Sequence, residues 1–470
     1  MNQNDIGIIG LGVMGRNLAL NIHDHGFSVS GFDLDQSKIE SLQQESNYEV
    51  YAATNLTDFI QSLKKPRTVI VLVPAGKRVD IVIDELTPLL ETGDVIIDAG
   101  NSHFTDTDRR ASELQKKQIE FVGMGVSGGE EGARHGPSMM PGGAKNVYDR
   151  LRPLLEAISA KVNKDPCVTY IGPGSSGHYV KMVHNGIEYG IMQLIAETYD
   201  LMKRGLGLSN AELSEIYAAW NNSELNSYLI DITSHILNKK DDKTHDELID
   251  KIKPVAEQNG TGMWTSESAL LLQVPVPTID AAVNMRDLSN FISDRETASQ
   301  LYVRKVKPLC IEHSLFLTQL KNALYTGMLI TYAEGFALLS VASQKYQYQL
   351  NLEAIARIWR GGCIIRSSLL EDIREAYRKN AKLSNLLCDA TITNKIIHHQ
   401  ESLRQVVSHA SHLGIPAPAF MSSISYLDAL RSTWSPANLI QAQRDYFGSH
   451  TYERTDIKGT FHTHWEESVS

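Results

Sequence analysis

The sequence predicts an α/β domain built on a parallel sheet, then a large all-α domain with an internal duplication, and finally a C-terminal tail. Up to about residue 172, short β-branched runs alternate with amphipathic stretches, the pattern of parallel strands with crossover helices. After the Gly/Pro/Ser-rich segment Ile171 to Gly177, long helical patterns replace these runs. We therefore expect domains at residues 1–176, 177–434 and 435–470. The strands are expected at DIGIIG, FSVSGF, TVIVLV, DVIIDAG, IEFVGM and CVTYIG.

Composition indicates an ordinary globular protein. The chain has 470 residues, of which 42% are hydrophobic and 21% charged, so it can bury large cores. The net charge of −10 has no long runs of one sign, which argues against non-specific binding to nucleic acid or to an anionic membrane. The N-terminus lacks a basic n-region, so we expect a cytoplasmic location. Reduced thiols and no metal site are expected from the scattered positions of Cys167, Cys310, Cys363 and Cys388.

The longest apolar run, Ala323 to Ser340, has two interpretations. It is just long enough for a short membrane span, or it is a helix buried in the core. Glu334 interrupts the run and Lys321 flanks it, so a buried helix is expected.

The all-α part contains an internal repeat. At an offset of 137, Asn185, Gly190, Ala196 and Glu197 recur as Asn322, Gly327, Ala333 and Glu334. An offset of 139 then aligns Leu213, Ile216 and Trp220 with Leu352, Ile355 and Trp359. Two related helical units are therefore expected to pack together. The first offset places Lys181, His184 and Glu188 on Thr318, Lys321 and Tyr325, so the scaffold does not require these polar residues.

A glycine fingerprint predicts that the first domain is of the Rossmann type and binds a dinucleotide. Gly10, Gly12 and Gly15 follow a strand and open a helix. The first glycine permits a tight turn, the second lets the backbone approach the pyrophosphate, and the third lets helix and strand pack closely. The phosphates would lie against the helix N-terminus. Cofactor contacts are expected from Gly10, Gly12, Val13, Met14, Gly15, Asp33, Val73 and Asn101.

Asp33 ends the second strand and favours NAD over NADP. Its carboxylate is placed to accept hydrogen bonds from the ribose, whereas the 2′-phosphate of NADP would bring negative charge to the same position. At about 4 Å and an effective dielectric near 20, each unit-charge repulsion is about 4 kcal/mol. Leu34 and Asp35 follow, so no arginine adjacent in the chain offsets this repulsion. Asp35 is expected to cap the next helix.

The segment GVSGGEEGARHGPSMMPGG is predicted to be a glycine-rich loop facing the substrate. Such a loop can present Ser127 and the amides of Gly128 and Gly129 to a carboxylate or hydroxyl, although a mobile surface loop is the alternative. Asn101 ends a nearby strand. Because ligands gather at the carboxyl ends of strands in open α/β sheets, we expect these residues to share one site.

The helical stretch VKMVHNGIEYG carries Lys181, His184, Asn185 and Glu188 within an arc of about 100°. The opposite face is apolar and would supply the core contact. A solvated charged face is the usual explanation of such a stripe, but its absence from the repeated unit favours an active site. A lysine near an apolar wall would have a lowered pKa and act as a base, and a partly buried glutamate would have a raised pKa and act as an acid.

Five motifs, in this order, resemble the decarboxylating 6-phosphogluconate dehydrogenase family: GVSGGEEGA, GHYVKMVHNGIEYG, GTGMWT, GCIIRS and QRDYFGSHTYER. The resemblance covers essentially the whole chain. It implies oxidation of 6-phospho-D-gluconate at C3, loss of CO₂ and tautomerisation to ribulose 5-phosphate, without a metal. It also implies a homodimer. The tail beyond Trp434, with one predicted helix and then turn residues, would enter the partner subunit.

The resemblance also implies roles for single residues. Lys181 takes the C3 hydroxyl proton and later assists decarboxylation, and Glu188 protonates C1 of the enediol. The residues that hold the carboxylate and hydroxyl groups are Asn101, Ser127, Gly128, Gly129, His184 and Asn185. Those that hold the phosphate are Tyr189, Thr261 and Arg286, together with Arg444 and His450 from the tail of the second subunit.

Two departures from the family pattern favour NAD. Asp33, Leu34 and Asp35 stand where the family has Asn-Arg-Ser/Thr, the segment that reads the 2′-phosphate of NADP. Gly12 stands at the usual alanine of the fingerprint. We therefore expect an NAD-preferring enzyme.

Departures on the substrate side leave alternatives open. Asn259 and Met263 replace two lysines beside the phosphate site, which lowers the positive charge there. Pro74 and Ile191 replace a lysine and an aspartate, and the sequence offers no physical account of either. An NAD-dependent dehydrogenase of another sugar acid is one alternative, and a catalytically silent NAD-binding sensor is another.

Overall fold

The computed structural model describes residues 3–303 and 311–466. It forms two compact units, one from the N-terminus to Ser423 and the other from Ile424 to the C-terminus. The first unit contains the large sheet and most of the helices. Cys310 lies outside the described residues.

The first unit begins with a seven-stranded sheet in the order β3-β2-β1-β4-β5-β6-β7, in which only the β6–β7 pair is antiparallel. Alternate strand residues face two apolar cores, with Ile8 and Ile70 on one side and Ile9 and Val71 on the other. The strands are β1 (Ile6–Ile9), β2 (Val29–Phe32), β3 (Tyr51–Ala52), β4 (Thr68–Val71), β5 (Val95–Asp98), β6 (Glu120–Ser127) and β7 (Ser138–Pro141).

Helices connect these strands, and the predicted Rossmann-type domain is confirmed. Asp35 caps the second helix as expected, because its Oδ1 accepts a hydrogen bond of 3.0 Å from the backbone N–H of Ser37. The helices are α1 (Val13–Asp24), α2 (Gln36–Glu45), α3 (Leu56–Gln61), α4 (Lys77–Leu86), α5 (Phe104–Gln115), α6 (Gly129–His135) and α7 (Lys145–Ile158).

Two local predictions are wrong. The run CVTYIG is not a strand: Val168 and Gly172 form only isolated bridges, to Met139 and Gly142. The segment predicted as a glycine-rich loop comprises the end of β6, helix α6 and strand β7. β7 is buried and pairs with β6 over four residues, a tertiary contact that a short run between glycines and prolines does not reveal.

The all-α domain follows a small hairpin, β8 (Lys161–Val162) and β9 (Asp165–Pro166). Its helices are α8 (Ser176–Asp200), α9 (Asn210–Asn221), α10 (Tyr228–Asn238), α11 (Thr261–Leu271), α12 (Pro277–Ser289), α13 (Ile292–Leu301), α14 (His313–Lys345), α15 (Leu352–Ile358), α16 (Leu369–Lys379), α17 (Ala390–Leu413) and α18 (Pro418–Arg431). By length and composition α14 could cross a membrane. However, 89% of its most apolar stretch is buried inside the protein, as predicted for a core helix.

Helices α8 and α14 contact each other through residues that correspond in the repeat. A Cβ atom at Gly190 would lie 2.5 Å from Thr331 Cγ2, and one at Gly327 would lie 3.0 Å from Leu194 Cδ1. These two contacts exchange under the offset of 137, because Gly190 corresponds to Gly327 and Leu194 to Thr331. The two helices therefore cross in a nearly symmetric way, which supports the predicted duplication.

A buried glutamate at the same position of each unit caps another helix. Glu197 accepts hydrogen bonds of 2.8 and 3.0 Å from the backbone N–H groups of Ala419 and Phe420, at the start of α18. Glu334 accepts bonds of 3.0 and 3.2 Å from Thr278 and Ile279, at the start of α12. A carboxylate is favourable at a helix N-terminus, so the repeat includes this capping interaction.

The second unit contains the helix expected in the tail, α19 (Ala437–Gly448). It also contains an antiparallel hairpin of β10 (Tyr452–Glu453) and β11 (Thr460–Phe461), which the sequence analysis does not predict.

The two buried glutamates predict a pH dependence of stability. Burial raises the pKa of Glu197 to about 7 and that of Glu334 to about 8, against the opposing backbone hydrogen bonds. Because its pKa is raised in the folded state, each glutamate contributes stability that is fully present below its unfolded-state pKa of 4.5. This contribution is lost as the pH rises through the folded-state pKa. Each group contributes a decline of about 1.4 kcal/mol per pH unit within its window.

We therefore expect the double variant Glu197→Gln/Glu334→Gln to lose less stability than the native protein as the pH rises from about 5 to about 8. Urea unfolding at a series of pH values measures this difference. Parallel stability profiles for the two proteins would contradict the assignment.

Candidate active site

Glycines allow helix α8 to lie directly on strand β6. A Cβ atom at Gly125 would lie 2.4 Å from Lys181 Cβ, and one at Gly177 would lie 2.2 Å from the carbonyl oxygens of Gly123 and Met140. Real Cβ atoms do not approach other atoms this closely, so larger residues would separate helix and strand. The contact places Lys181 at the carboxyl end of β6.

The predicted polar stripe of α8 forms one hydrogen-bond network. Lys181 Nζ donates to Asn185 Oδ1 and lies 3.5 Å from His184 Nδ1. His184 Nε2 lies 3.2 Å from Ser127 Oγ, and Asn185 Nδ2 donates to Thr261 Oγ1 at 3.0 Å. The network therefore joins α8 to the end of β6 and the start of α11.

This stripe is buried, which excludes the alternative of a solvated charged face. Lys181 is 6% exposed, His184 0% and Asn185 9%. Burial lowers the pKa of Lys181, against the opposing charge of Glu188. Burial, together with the charge of Lys181, holds the pKa of His184 well below its usual value.

The carboxyl group of Glu188 is partly open, with 20% of the side chain exposed and Oε2 located 3.8 Å from His184 Nδ1. Burial raises its pKa, against the charges of Lys181 and Arg286. A lysine with a lowered pKa thus shares one helix face with a carboxyl group with a raised pKa. This combination suits a reaction with two separate proton transfers.

Ser127, Gly128 and Gly129 form a rigid corner between β6 and α6. Gly128 has φ of +120°, and a Cβ atom there would lie 2.6 Å from the carbonyl oxygen of Gly362. Gly129 has φ of +62° and no atom near its missing side chain, so its backbone is open to a ligand. The alternative of a mobile surface loop is therefore excluded.

The candidate phosphate residues lie along the same region. The guanidinium of Arg286 stacks 3.4 Å from the centre of the Tyr189 ring, a cation–π contact that fixes its plane. Its Nη1 donates to the carbonyl of Glu257 at 3.4 Å. Asn259 is exposed just before α11, and Met263 is 48% exposed in the first turn of this helix.

The segment that follows α15 forms a part of the site that the sequence does not predict. The ring of Trp359 packs edge-on against that of His184, with the ring centres 5.5 Å apart. The backbone N–H of Ile364 donates to Ser127 Oγ at 3.4 Å. The motif GCIIRS, which contains Ile364, carries the signal, although no role for it could be derived from the sequence. This segment fixes the orientation of both His184 and Ser127.

Ile191 has a structural explanation. It is 1% exposed and lies close to Met328, Tyr332 and Arg366. An apolar side chain therefore fits among these core residues.

The predicted cofactor residues line a cleft at the carboxyl ends of β1, β2 and β4. The cleft has a volume of about 580 Å³, and Gly10, Gly12, Asp33 and Val73 line it. Gly10 has φ of +94°, as the tight turn requires, and a Cβ atom at Gly12 would meet nothing within 4 Å. The open backbone at Gly12 fits the close approach of a pyrophosphate.

The other predicted cofactor residues surround this loop and the next strand ends. Val13 is 49% exposed and begins α1, and Met14 is half-buried beside it. Asn101 is exposed directly after the loop that ends β5. These positions are accessible to a ligand.

Asp33 lies in the cleft, but its surroundings differ from the sequence expectation. Its Oδ2 accepts a 2.7 Å hydrogen bond from the backbone N–H of Leu11 and lies 3.6 Å from Lys38 Nζ. Arg78 of α4 lines the same cleft. No arginine adjacent in the chain offsets the charge of Asp33, as expected, but Lys38 of α2 and Arg78 of α4 add positive charge to the same cleft.

Arg444 and His450 belong to the second unit and are exposed there. Arg444 Nη1 donates to Gln441 Oε1 at 3.0 Å. Within residues 3–303 and 311–466, no group of three or more His, Cys, Asp or Glu side chains is arranged to hold a metal ion.

Two family models match nearly the whole chain. The NAD binding domain of 6-phosphogluconate dehydrogenase matches residues 5–172, and the 6-phosphogluconate dehydrogenase C-terminal domain matches residues 177–465. The chain belongs to the 6-phosphogluconate dehydrogenase family.

Individual relatives are similar over their full lengths. The NADP(+)-dependent, decarboxylating 6-phosphogluconate dehydrogenase of Bacillus subtilis is 50% identical over 467 residues, covering 99% of this chain and 100% of its own. The decarboxylating enzyme of Synechococcus elongatus is 49% identical, with coverage of 99% and 100%. Plasmodium falciparum 6-phosphogluconate dehydrogenase, described in apo form and with cofactor NADP+ or substrate 6-phosphogluconate, has a TM-score of 0.95 at 46% identity. The match covers 98% of this chain and 100% of that one.

The glycine fingerprint yields a test with a matched control. A Cβ atom at Gly15 would lie 1.8 Å from the carbonyl oxygen of Gly10, so Gly15→Ala should distort the turn. We expect it to weaken NAD binding at least about tenfold, as measured by calorimetric titration. Gly132→Ala introduces the same methyl group in α6, at an ordinary contact distance of 3.4 Å from the carbonyl oxygen of Ser127, and should bind NAD within about threefold of the native protein. Equal effects of the two substitutions would contradict the proposed geometry.

Proposed function

We propose that this protein catalyses the oxidative decarboxylation of 6-phospho-D-gluconate to D-ribulose 5-phosphate and CO₂, with reduction of NAD. The observation that carries the proposal is the pair formed by the buried Lys181 and the partly open Glu188 on one face of α8, beside the corner at Ser127. Membership of the 6-phosphogluconate dehydrogenase family supports the same reaction.

The carboxyl end of the sheet suits a nicotinamide cofactor, which supplies a hydride acceptor when bound. The open backbone at Gly12 and the cleft beside Asp33 would hold its phosphates and ribose. Ser127 and the backbone of Gly129 would hold the sugar carboxylate and hydroxyl groups near Lys181.

Lys181 acts as the base in the oxidation step. With its pKa lowered by burial, its neutral Nζ takes the proton of the C3 hydroxyl while C3 gives up its hydride. The C1–C2 bond then breaks, CO₂ leaves, and the electron pair moves toward the C3 oxygen. Lys181 returns a proton to that oxygen, which yields an enediol.

Glu188 acts as the acid in the last step. Burial raises the pKa of Glu188, which favours its protonated form. This proton goes to C1 of the enediol, the former C2 of the substrate, while Lys181 takes the proton of the hydroxyl on the adjacent carbon. The product is D-ribulose 5-phosphate. His184, held by Ser127 and packed on Trp359, would orient the substrate rather than transfer a proton, because its pKa is far below neutrality.

The phosphate group would lie against Arg286, Tyr189 and Thr261. The stacked guanidinium of Arg286 offers the planar donor set that binds phosphate in a bidentate manner. We propose that the site is completed by Arg444 and His450 of the partner subunit, in a homodimer with exchanged tails. The apolar residues Leu288 of α12, Phe291 between the two helices and Leu301 of α13 are each at least 48% exposed and suit such a contact.

The preference for NAD depends on Asp33 and Leu34. Asp33 stands at the ribose end of the cleft, and Leu34 is 89% exposed where the family pattern has arginine. Lys38 and Arg78 reduce the repulsion of a 2′-phosphate below the sequence-based value, so discrimination should be moderate. The names of the relatives from Bacillus subtilis and Plasmodium falciparum include NADP, so this preference would distinguish the chain from them.

A dehydrogenase of another sugar acid is the second candidate. The exposed Asn259 and Met263 leave Arg286 as the main described cation beside Tyr189, which favours a substrate with less charge at its far end. The third candidate, a silent NAD-binding sensor, is disfavoured by the complete Lys181 and Glu188 pair.

One assay distinguishes these candidates. We expect purified protein to reduce NAD in the presence of 6-phosphogluconate and to release one CO₂ per reduced cofactor, with a lower kcat/KM for NADP. Reduced cofactor without CO₂ would contradict the decarboxylation, and higher kcat/KM with NADP would contradict the role of Asp33. Gluconate and other sugar acids, tested in parallel, reveal the second candidate. NAD binding without turnover on any of them would indicate the sensor.

A substitution tests the role of the base. We expect Lys181→Met to reduce kcat for NAD reduction at least about a thousandfold, because no neighbouring group can take the C3 proton, while NAD binding stays within about threefold. Lys321→Met is the matched control, since Lys321 lies on the related helix α14 and pairs with Glu224 at 3.2 Å. Substantial turnover by Lys181→Met, or equal losses in both variants, would refute the assignment.

A further inference from the structure

The described part of the tail, residues 431–466, has no apolar core, and the one side chain buried in it is a carboxylate. Among residues 431–466, Asp445 is 0% exposed and all the others are half-buried or exposed. In a segment this short, the buried polar group must carry much of the internal organisation, because few apolar contacts are present to do so.

Each of the two carboxylate oxygens of Asp445 accepts two hydrogen bonds. Oδ1 accepts from the backbone N–H of Thr451 at 2.9 Å and from His462 Nδ1 at 2.9 Å. Oδ2 accepts from the backbone N–H of Thr463 at 3.1 Å and from Trp465 Nε1 at 2.9 Å. The acceptor capacity of the carboxylate is thus filled by donors from two separate stretches of the tail.

These contacts enclose His450. Ser449 and Thr451, its two neighbours, have φ of +49° and +61°, the left-handed conformation that such residues adopt only when other contacts hold them. The N–H of Ser449 donates to the carbonyl of Asp445 at 2.9 Å, while that of Thr451 donates to the side chain. Asp445 therefore fixes the chain on both sides of His450.

The side chains beside Asp445 are also oriented. The ring of His450 packs edge-on against Phe447 at 6.0 Å, and a Cβ atom at Gly448 would lie 2.7 Å from this ring. Arg444 precedes Asp445 in the last turns of α19 and projects from the exposed side. The turn thus exposes Arg444 and His450, and the carboxylate of Asp445 sets the distance between them.

The charge of Asp445 persists at neutral pH. Burial opposes ionisation, but the hydrogen bonds from His462, Trp465 and the backbone lower the pKa of Asp445 to about 2. An uncharged acceptor would bind these four donors more weakly.

We propose that Asp445 is a positioning residue for phosphate binding, which holds Arg444 and His450 of the tail in the geometry that receives the phosphate group of the substrate. This inference rests on the proposed function, in which those two side chains contact the phosphate. Asp445 itself touches no substrate and acts only through the turn that it organises.

Steady-state kinetics of full-length variants test the proposal. Asp445→Asn places an NH₂ group opposite two N–H donors, so the turn should loosen. We expect it to raise KM for 6-phosphogluconate at least about tenfold, with kcat within about threefold and KM for NAD unchanged, because the reacting atoms lie elsewhere. Asp456→Asn is the matched control. This exposed carboxylate lies between β10 and β11 and pairs with Arg454 at 2.7 Å, and its loss should change none of these constants.

A double-mutant cycle separates this inference from the proposed function. We expect Arg444→Gln to raise KM for the phosphosugar, and the variant Arg444→Gln/Asp445→Asn to add little, because both changes remove the same contact. No effect of Arg444→Gln would mean that the phosphate assignment fails. An effect of Arg444→Gln without an effect of Asp445→Asn would overturn the positioning role alone, as would a fall in kcat at unchanged KM.

Trp465→Phe gives an independent check in case Asp445→Asn does not fold. It removes a single donor to Oδ2 and leaves the other three bonds in place. We expect a smaller increase in KM for 6-phosphogluconate, again at nearly native kcat. Native KM values in this variant would contradict the proposal.

Discussion

The close contact between helix α8 and strand β6 is the constraint on which the candidate site depends. The two elements approach each other only because Gly123, Gly125 and Gly177 lack side chains. This approach brings Lys181 and His184 to the carboxyl end of β6, beside Ser127. It also removes Lys181 from solvent, which lowers its pKa. The geometry of the site and its acid–base properties therefore have a common origin.

The internal repeat separates what the helical scaffold requires from what the chemistry requires. Both units retain the small residue at the α8–α14 crossing and the buried glutamate that caps a neighbouring helix. Only α8 carries the polar stripe. At the equivalent positions of α14, Thr318 is exposed, Lys321 pairs with Glu224, and Tyr325 is buried. The helical scaffold is thus common to both repeats. Only the first repeat holds the candidate reactive groups.

Features with a strong local signal could be predicted from the sequence. The glycine fingerprint, the alternation of strands and helices, and the stripe of α8 each depend on spacing along one segment, and the described structure contains all three. Features that depend on distant contacts could not. Strand β7 exists because it pairs with β6, and Arg78 of α4 lines the same cleft as Asp33. The contact of Trp359 with His184 likewise joins residues far apart in the chain.

A crystal structure with bound 6-phospho-D-gluconate tests the central claim most directly. The account predicts that the C3 hydroxyl lies within hydrogen-bond distance, about 2.6–3.2 Å, of Lys181 Nζ. It further predicts that the sugar carboxylate lies beside Ser127 and the phosphate on the guanidinium of Arg286. A sugar bound away from α8, with Lys181 still donating only to Asn185, would contradict it.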